Sequence, residues 1–254
     1  MFFRELNAAA PRTIVLVHGQ LFDGAVFDGV TATLAGQFRV LVPDLPGYGR
    51  SPLDGAAGVA DVQDRLGREL RARVKGPLVL VGFSLGAYHA LALLTRGLLA
   101  PAGLALLAPV VGLSDDKRAQ FRQNLAACQA APGAVADVIA SIMHAPAFLA
   151  GRPDRAAATR ARFTATAMDT ITWDLQAALD MPDLSPQLGS VAVPVLVRVG
   201  ALDQAVPPAL GRAIAAALPH AQLRECAGVG HLQMIEDPAG LAEDLSRFAG
   251  SVLP

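Results

Sequence analysis

The sequence predicts an α/β fold: a mostly parallel central sheet with helices on both faces and one inserted helical cap. Three observations carry this. Short apolar runs recur at 13–17 (TIVLV), 38–42 (FRVLV), 78–82 (LVLVG), 103–108 (GLALLA) and 194–199 (PVLVRV), and strands buried on both faces read as such nearly continuous runs. Stretches of helical length separate them, and a parallel strand pair needs a crossover of that kind over one face of the sheet. The alternation breaks once, between the fourth and fifth runs, by about 70 residues, which far exceeds an ordinary loop.

In chain order, a short leading strand at 2–6 precedes the first run. Helices are expected at 24–36, 58–73 and 84–97, the last opening directly from the run at 78–82. Ser114, before Asp115 and Asp116, has the form of an N-cap. It opens a cap of four helical segments at 115–130, 133–144, 154–168 and 171–181. A helix at 207–217, a weaker sixth strand at 220–226 and a helix at 237–249 complete the chain. No repeat or low-complexity linker sets the cap apart as an independent domain. The division is therefore 1–113 (core, first part), 114–185 (cap insertion) and 186–254 (core, second part).

With 254 residues, 53% of them hydrophobic, the chain can bury a sizeable core without disulfides or metals. Its mean hydropathy of +0.41 raises a membrane question, because Arg96 is the only formal charge between Lys75 and Asp115. Hydropathy alone reads that run as two spans. Pro77, Gly82, Gly86, Gly97, Pro101 and Pro109 cut it into shorter pieces, so no membrane association is expected. A net charge of -1 with no basic run leaves no electrostatic footprint for nucleic acid. Cys128 and Cys226 are too few and too far apart for a disulfide framework or metal knuckle and read as reduced thiols. His89, His144 and His220 show no metal-ligand spacing, and neither a dinucleotide nor a phosphate-loop signature occurs, so no metal or cofactor is expected. The first residues lack an apolar signal segment, and a cytoplasmic protein is the expectation.

The chemistry centres on Gly82-Phe83-Ser84-Leu85-Gly86, which joins an apolar run to an alanine- and leucine-rich helix. A serine on so sharp a turn needs small flanking residues and projects its hydroxyl above the sheet. The same turn puts the Leu85 amide at a helix N-terminus, where it can stabilise a developing oxyanion. His18-Gly19-Gln20 ends the first run at the same sheet edge, where ligands of open α/β sheets bind. Gly19 allows a tight turn, so the second oxyanion donor is the Gln20 amide, with Leu21 as the alternative. His18 is read as a buried brace of that loop. A serine nucleophile needs a base and the base an orienting acid. His231, in Gly228-Val229-Gly230-His231, and Asp203, after the fifth run, fit these roles. Asp115 and Asp116, after the fourth run, are the alternative acids. Asp44 is read as a turn brace.

The strings HGQ at 18, DLPGYGRS at 44, GFSLG at 82, GALDQAVP at 200 and GVGHLQMIEDP at 228 together resemble the α/β-hydrolase superfamily. The resemblance spans the chain apart from the cap. Within the superfamily it is to the serine carboxylesterase and lactonase branch, which includes pimeloyl carrier-protein methyl ester esterases and 3-oxoadipate enol-lactonases. It implies catalysis by Ser84, Asp203 and His231 without a cofactor. Only 12 residues precede the first buried strand, so one or both of the family's opening antiparallel strands are expected to be short or missing.

The cap would roof the site, with Phe22, Met143 and Trp173 as candidate substrate-binding residues. An apolar acyl or ring portion suits this inventory. Seven basic cap residues are interspersed with eight aspartates, which describes a solvated surface more than an anion clamp. The resemblance thus implies hydrolysis of a small ester or lactone through an acyl-enzyme. An acyltransferase, a perhydrolase or a C-C bond hydrolase would carry the same motifs, and a non-catalytic ligand-binding protein is the rival from another class.

Overall fold

The computed structural model describes all 254 residues. Seven strands form one sheet: β1 (Phe3–Leu6), β2 (Thr13–Val17), β3 (Arg39–Pro43), β4 (Leu78–Phe83), β5 (Gly103–Leu107), β6 (Val195–Gly200) and β7 (Ala221–Cys226). Their spatial order is β1-β3-β2-β4-β5-β6-β7. Only β1 runs antiparallel, pairing Phe3 with Pro43 on β3. All seven expected strands are present, and the opening of the sheet is one four-residue strand.

From the edge strand β1 the chain passes to β2 near the middle, moves outward to β3, then crosses back to β4 on the other side of β2. The direction of winding therefore reverses between β2 and β4. A crevice opens at the carboxyl ends of the strands at such a reversal, and both Gln20 and Ser84 follow strands that flank it.

Alternate residues of the buried strands feed two apolar layers. Val15, Val17, Leu80, Leu104, Leu106 and Val197 belong to a cluster of 33 buried residues, covered by α2 (Val59–Arg73), α3 (Leu85–Thr95) and α9 (Pro208–Ala217). Ile14, Leu16, Val79, Val81, Ala105 and Leu196 belong to one of 25, covered by α1 (Asp28–Ala35) and α11 (Pro238–Val252). A fully buried aliphatic side chain contributes roughly 1.5–3 kcal/mol, so this double covering favours uncharged strands. The oily stretch between Lys75 and Asp115 is β4, α3 and β5, and no helix is long and apolar enough to cross a membrane.

Five helices, α4 (Asp115–Ala130), α5 (Pro132–Ile142), α6 (Pro146–Gly151), α7 (Pro153–Ala165) and α8 (Met168–Leu179), occupy the interval between β5 and β6. Ser114 caps the first, its side chain accepting the Lys117 N–H. Cys128, Ala136, Phe163 and Ile171 give these helices a small core of their own. Four helices are expected here from the sequence, with 145–153 left unassigned. Proline marks a helix's first turn as readily as a break, and Pro146 and Pro153 each open a helix. The helix expected at 24–36 is likewise split: a 3-10 turn at Gly24–Phe27, capped by Asp23, precedes α1.

One residue departs from the apolar reading of β6. The Arg198 side chain is 1% exposed and donates to Asp244 at 2.9 Å, with Asp237 as a second carboxylate partner. It also donates to Gln233 Oε1 at 2.9 Å, while Gln233 Nε2 donates back to the Arg198 carbonyl at 3.1 Å. The network ties β6 to α11 and to the short α10 (Gln233–Glu236). Removing one partner of a buried ion pair strands the others. Arg198→Ala is expected to lose about 3–5 kcal/mol of unfolding free energy. Urea denaturation checks this, and a loss under about 1 kcal/mol would contradict the role given to the network.

Candidate active site

Ser84 sits alone between β4 and α3 with φ 53° and ψ -119°. A residue with a Cβ is strained there. The conformation is held on both sides, by the Ser84 N–H donating to the Leu107 carbonyl at 2.8 Å and the Ala87 N–H donating to the Ser84 carbonyl at 2.9 Å. Close approach is the reason for glycine at 86: a Cβ there would lie 2.3 Å from the Val17 carbonyl and 2.4 Å from that of His18. The first turn of α3 thus rests directly on the end of β2.

His231 lies in the loop between β7 and α10, and its ring centroid is 4.8 Å from that of Phe83, the neighbour of Ser84. Its Nδ1 is 2.7 Å from Asp203 Oδ2. The other Asp203 oxygen accepts the backbone N–H groups of Ala205 at 2.9 Å and Val206 at 2.8 Å. With the carboxylate as acceptor, Nδ1 carries the ring proton and Nε2 is left with a free lone pair. Asp115 and Asp116 lie exposed at the start of α4, so Asp203 is the acid that reaches His231. No hydrogen bond joins Ser84 Oγ to His231. Such links are often long in the absence of substrate.

The His231 loop is fastened to the cap. Glu236 Oε2 accepts the Gly230 N–H at 2.8 Å and the Ala145 N–H at 3.2 Å, and the Leu232 N–H donates to the Met143 carbonyl at 3.1 Å. The second Glu236 oxygen lies 3.3 Å from Nδ1 of the fully buried His144.

On the other side of Ser84 runs the loop after β2. A Cβ at Gly19 would lie 3.0 Å from the Ser84 Cβ and 2.9 Å from the Phe83 carbonyl, so the loop touches the serine turn. The Gln20 and Leu85 amides donate to no acceptor within the protein, whereas the Leu21 N–H is taken by the Tyr48 hydroxyl at 3.2 Å. Of the two alternatives after Gly19, only Gln20 has a free amide. His18 braces this loop. Its Nε2 accepts the Leu45 N–H at 2.8 Å and its Nδ1 donates to the Gly19 carbonyl at 2.8 Å. Burial lowers its pKa and keeps the ring neutral. Asp44 accepts the Gly24 and Arg50 N–H groups, both at 2.9 Å, and so braces its turn.

Two cavities adjoin these loops. The first is small, with about 10 Å³ of free volume, and its wall includes Gln20, Leu85, His89, Trp173 and Asp174. That is room for about one water. The second, about 400 Å³, lies against α7 and includes Phe22, His144, Arg162 and Met234. Of the candidate substrate-binding residues, Trp173 lines the first and Phe22 the second, while Met143 lines neither. The cap cations are largely paired: Arg152 with Asp154 at 2.9 Å, Arg160 with Asp137 at 2.5 Å, Arg162 with Asp23 at 2.7 Å.

The Alpha/beta hydrolase family model matches residues 14–244 of the sequence. The chain belongs to the α/β-hydrolase family. Among curated proteins, this hydrolase is similar to the pimeloyl-[acyl-carrier protein] methyl ester esterase of Xanthomonas oryzae pv. oryzae, with 31% identity over 94% of this chain and 95% of the relative. The enzyme of that name from Vibrio atlanticus is 27% identical over 93% of both chains. Among solved structures, a thermophilic esterase from Thermogutta terrifontis superposes with a TM-score of 0.90 at 24% identity, covering 100% of this chain and 94% of that one. The enol-lactonase from Burkholderia xenovorans does so with a TM-score of 0.85 at 24% identity, covering 97% and 95%. At these identities the superpositions speak to the fold.

Three residues of the candidate site carry no motif of their own in the sequence. Tyr48 and Glu236 lie inside the quoted strings DLPGYGRS and GVGHLQMIEDP without being singled out. Asp174 carried a usable signal, since it shares a face of α8 with Ile171 and Ala178, and all three are buried. A carboxylate at that helical spacing needs a partner. Its partner is the Tyr48 hydroxyl.

Burial pushes the Asp174 carboxyl from 3.8 up to about 6. Because the unfolded chain then releases this proton first, the folded state loses stability as pH rises from about 4 through about 6. The loss is on the order of 3 kcal/mol. Asp174→Asn cannot ionise. The unfolding free energy of the variant minus that of the wild type is expected to rise by about that amount between pH 4 and 7. A difference independent of pH in urea titrations would contradict the burial effect.

Proposed function

We propose that this protein is a serine hydrolase that cleaves an ester or lactone of a small, largely apolar substrate through an acyl-enzyme. Ser84 Oγ attacks the carbonyl carbon as His231 Nε2 takes its proton. The Gln20 and Leu85 amides hold the oxyanion. Collapse of the tetrahedral species expels the alkoxide, which receives the proton from His231, and water then repeats the sequence on the acyl-enzyme. Asp203 keeps His231 in the tautomer this requires. A lactone would give the hydroxy acid by the same steps.

The observation that carries the reading is the Asp203–His231 hydrogen bond of 2.7 Å set against the residue preceding a strained serine at the winding reversal of the sheet. The esterase names of relatives aligned over nearly the whole chain support the ester class. Phe22, Met234 and Ile235 in the wall of the second cavity, which has about 400 Å³ of room, support an apolar substrate portion.

A fluorophosphonate probe should add covalently to the wild type and not to Ser84→Ala, and a wild type that stays unlabelled would sink the reading. Asp203→Asn should lower turnover of a short-chain aryl ester by ~10⁴, the loss that the wrong histidine tautomer causes in other triads. Retention of more than about a tenth of the rate would remove Asp203 from its role. A panel of aryl esters and lactones of graded acyl length then defines the substrate class.

A further inference from the structure

Leu21, directly after the oxyanion donor Gln20, has φ 65°. A residue with a Cβ does not rest there unaided. Its N–H donates to the Tyr48 hydroxyl at 3.2 Å, and that hydroxyl spends its single proton on Oδ2 of Asp174. Asp174 belongs to the cap helix α8, so a continuous hydrogen-bonded line runs from the cap to the backbone of the loop beside Ser84. A second link is parallel to it, from Gln20 Nε2 to the Asp174 carbonyl at 3.3 Å. The same helix is fastened to the neighbouring loops by Trp173 Nε1 donating to the Ala56 carbonyl at 2.7 Å and by Thr170 Oγ1 donating to that of Gly47 at 3.3 Å.

Packing alone does not call for this chemistry. Tyr48 and Asp174 are each about 95% buried, and an apolar pair would fill the same space without desolvating a carboxyl group. Both also line the small cavity whose wall holds Gln20 and Leu85, the two residues with free amides beside Ser84.

We propose that Tyr48 and Asp174 are positioning residues for the oxyanion hole: cap helix α8 sets the Gln20 amide through the line Asp174–Tyr48–Leu21, so that seating of the cap and completion of the hole are one event. This rests on the serine-hydrolase reading above. The cap then acts on the transition state as well as on substrate binding. Loss of the line lowers kcat and leaves KM nearly unchanged, since the oxyanion forms only after substrate has bound.

The test is kinetic, on the full chain with a short-chain p-nitrophenyl ester. Tyr48→Phe is expected to lower kcat by about 10- to 100-fold with KM within about threefold, somewhat less than outright removal of an oxyanion donor. Its affinity for an arylboronic acid, whose tetrahedral adduct occupies the hole, is expected to fall by a similar factor. Asp174→Asn keeps an acceptor for the Tyr48 hydroxyl and is expected to stay near wild-type kcat. Asp174→Ala removes the far end of the line, leaves the Tyr48 ring in place, and is expected to behave as Tyr48→Phe does. It carries the same test if Tyr48→Phe does not fold. The double variant is expected to be no worse than either single one, as residues acting through one line are non-additive. An unchanged kcat in the folded variant, or a loss confined to KM, overturns the proposal. In that event fluorophosphonate labelling of Ser84 in the same preparation leaves the hydrolase reading standing, whereas an unlabelled wild type removes both.

Discussion

Ser84 can hold φ 53° only because the backbone around it is fixed from three directions. Its N–H is bonded to the end of β5, its carbonyl to the first turn of α3, and that turn rests on the carbonyls of Val17 and His18 at the end of β2. The strain of one residue is distributed over three adjacent strands buried in the middle of the sheet. Those strands can be central because each is covered on both faces, which is also why the middle of the chain is so apolar. The position of the hydroxyl follows from the sheet, and every other part of the site is placed relative to it.

The remaining parts arrive on loops, and loops need bracing by polar groups. His18 and Asp44 tie the loop after β2 to the turn after β3, and Glu236 ties the His231 loop to Ala145 in the cap. Buried polar groups of this kind are costly unless fully bonded, but they fix one geometry where apolar packing permits several. The Asp203 carboxylate shows the rule well, with both oxygens committed to N–H donors. The cap is thus joined to the core through hydrogen bonds at the two loops that flank Ser84 as well as through apolar packing.

The fold was legible in the sequence because its strands are buried on both faces and appear as uninterrupted apolar runs. Even the weaker β7 showed itself, although its middle residues are exposed. Ser84, Asp203 and His231 stand out in the sequence because each sits in a glycine-marked turn or loop after a strand. Pro146 hid a six-residue helix, since proline signals a start and a break alike. Arg198 passes unmarked inside the apolar run of β6, because its partners Asp237 and Asp244 are distant in sequence and come together only through tertiary structure. Tyr48 and Asp174 are separated by 126 positions. Nothing local to either residue announces the bond between them; the only sign at Asp174 is a carboxylate on a helix face it shares with Ile171 and Ala178.

The proposed function requires a covalent bond between Ser84 and the acyl group of the substrate. Acid quenching during turnover of a p-nitrophenyl ester, followed by peptide mass mapping, tests it most directly. An acyl group is expected on the peptide containing Ser84 and not on that of Ser84→Ala, which also loses turnover. An acyl group on another residue, or turnover by Ser84→Ala at the wild-type rate, would contradict it.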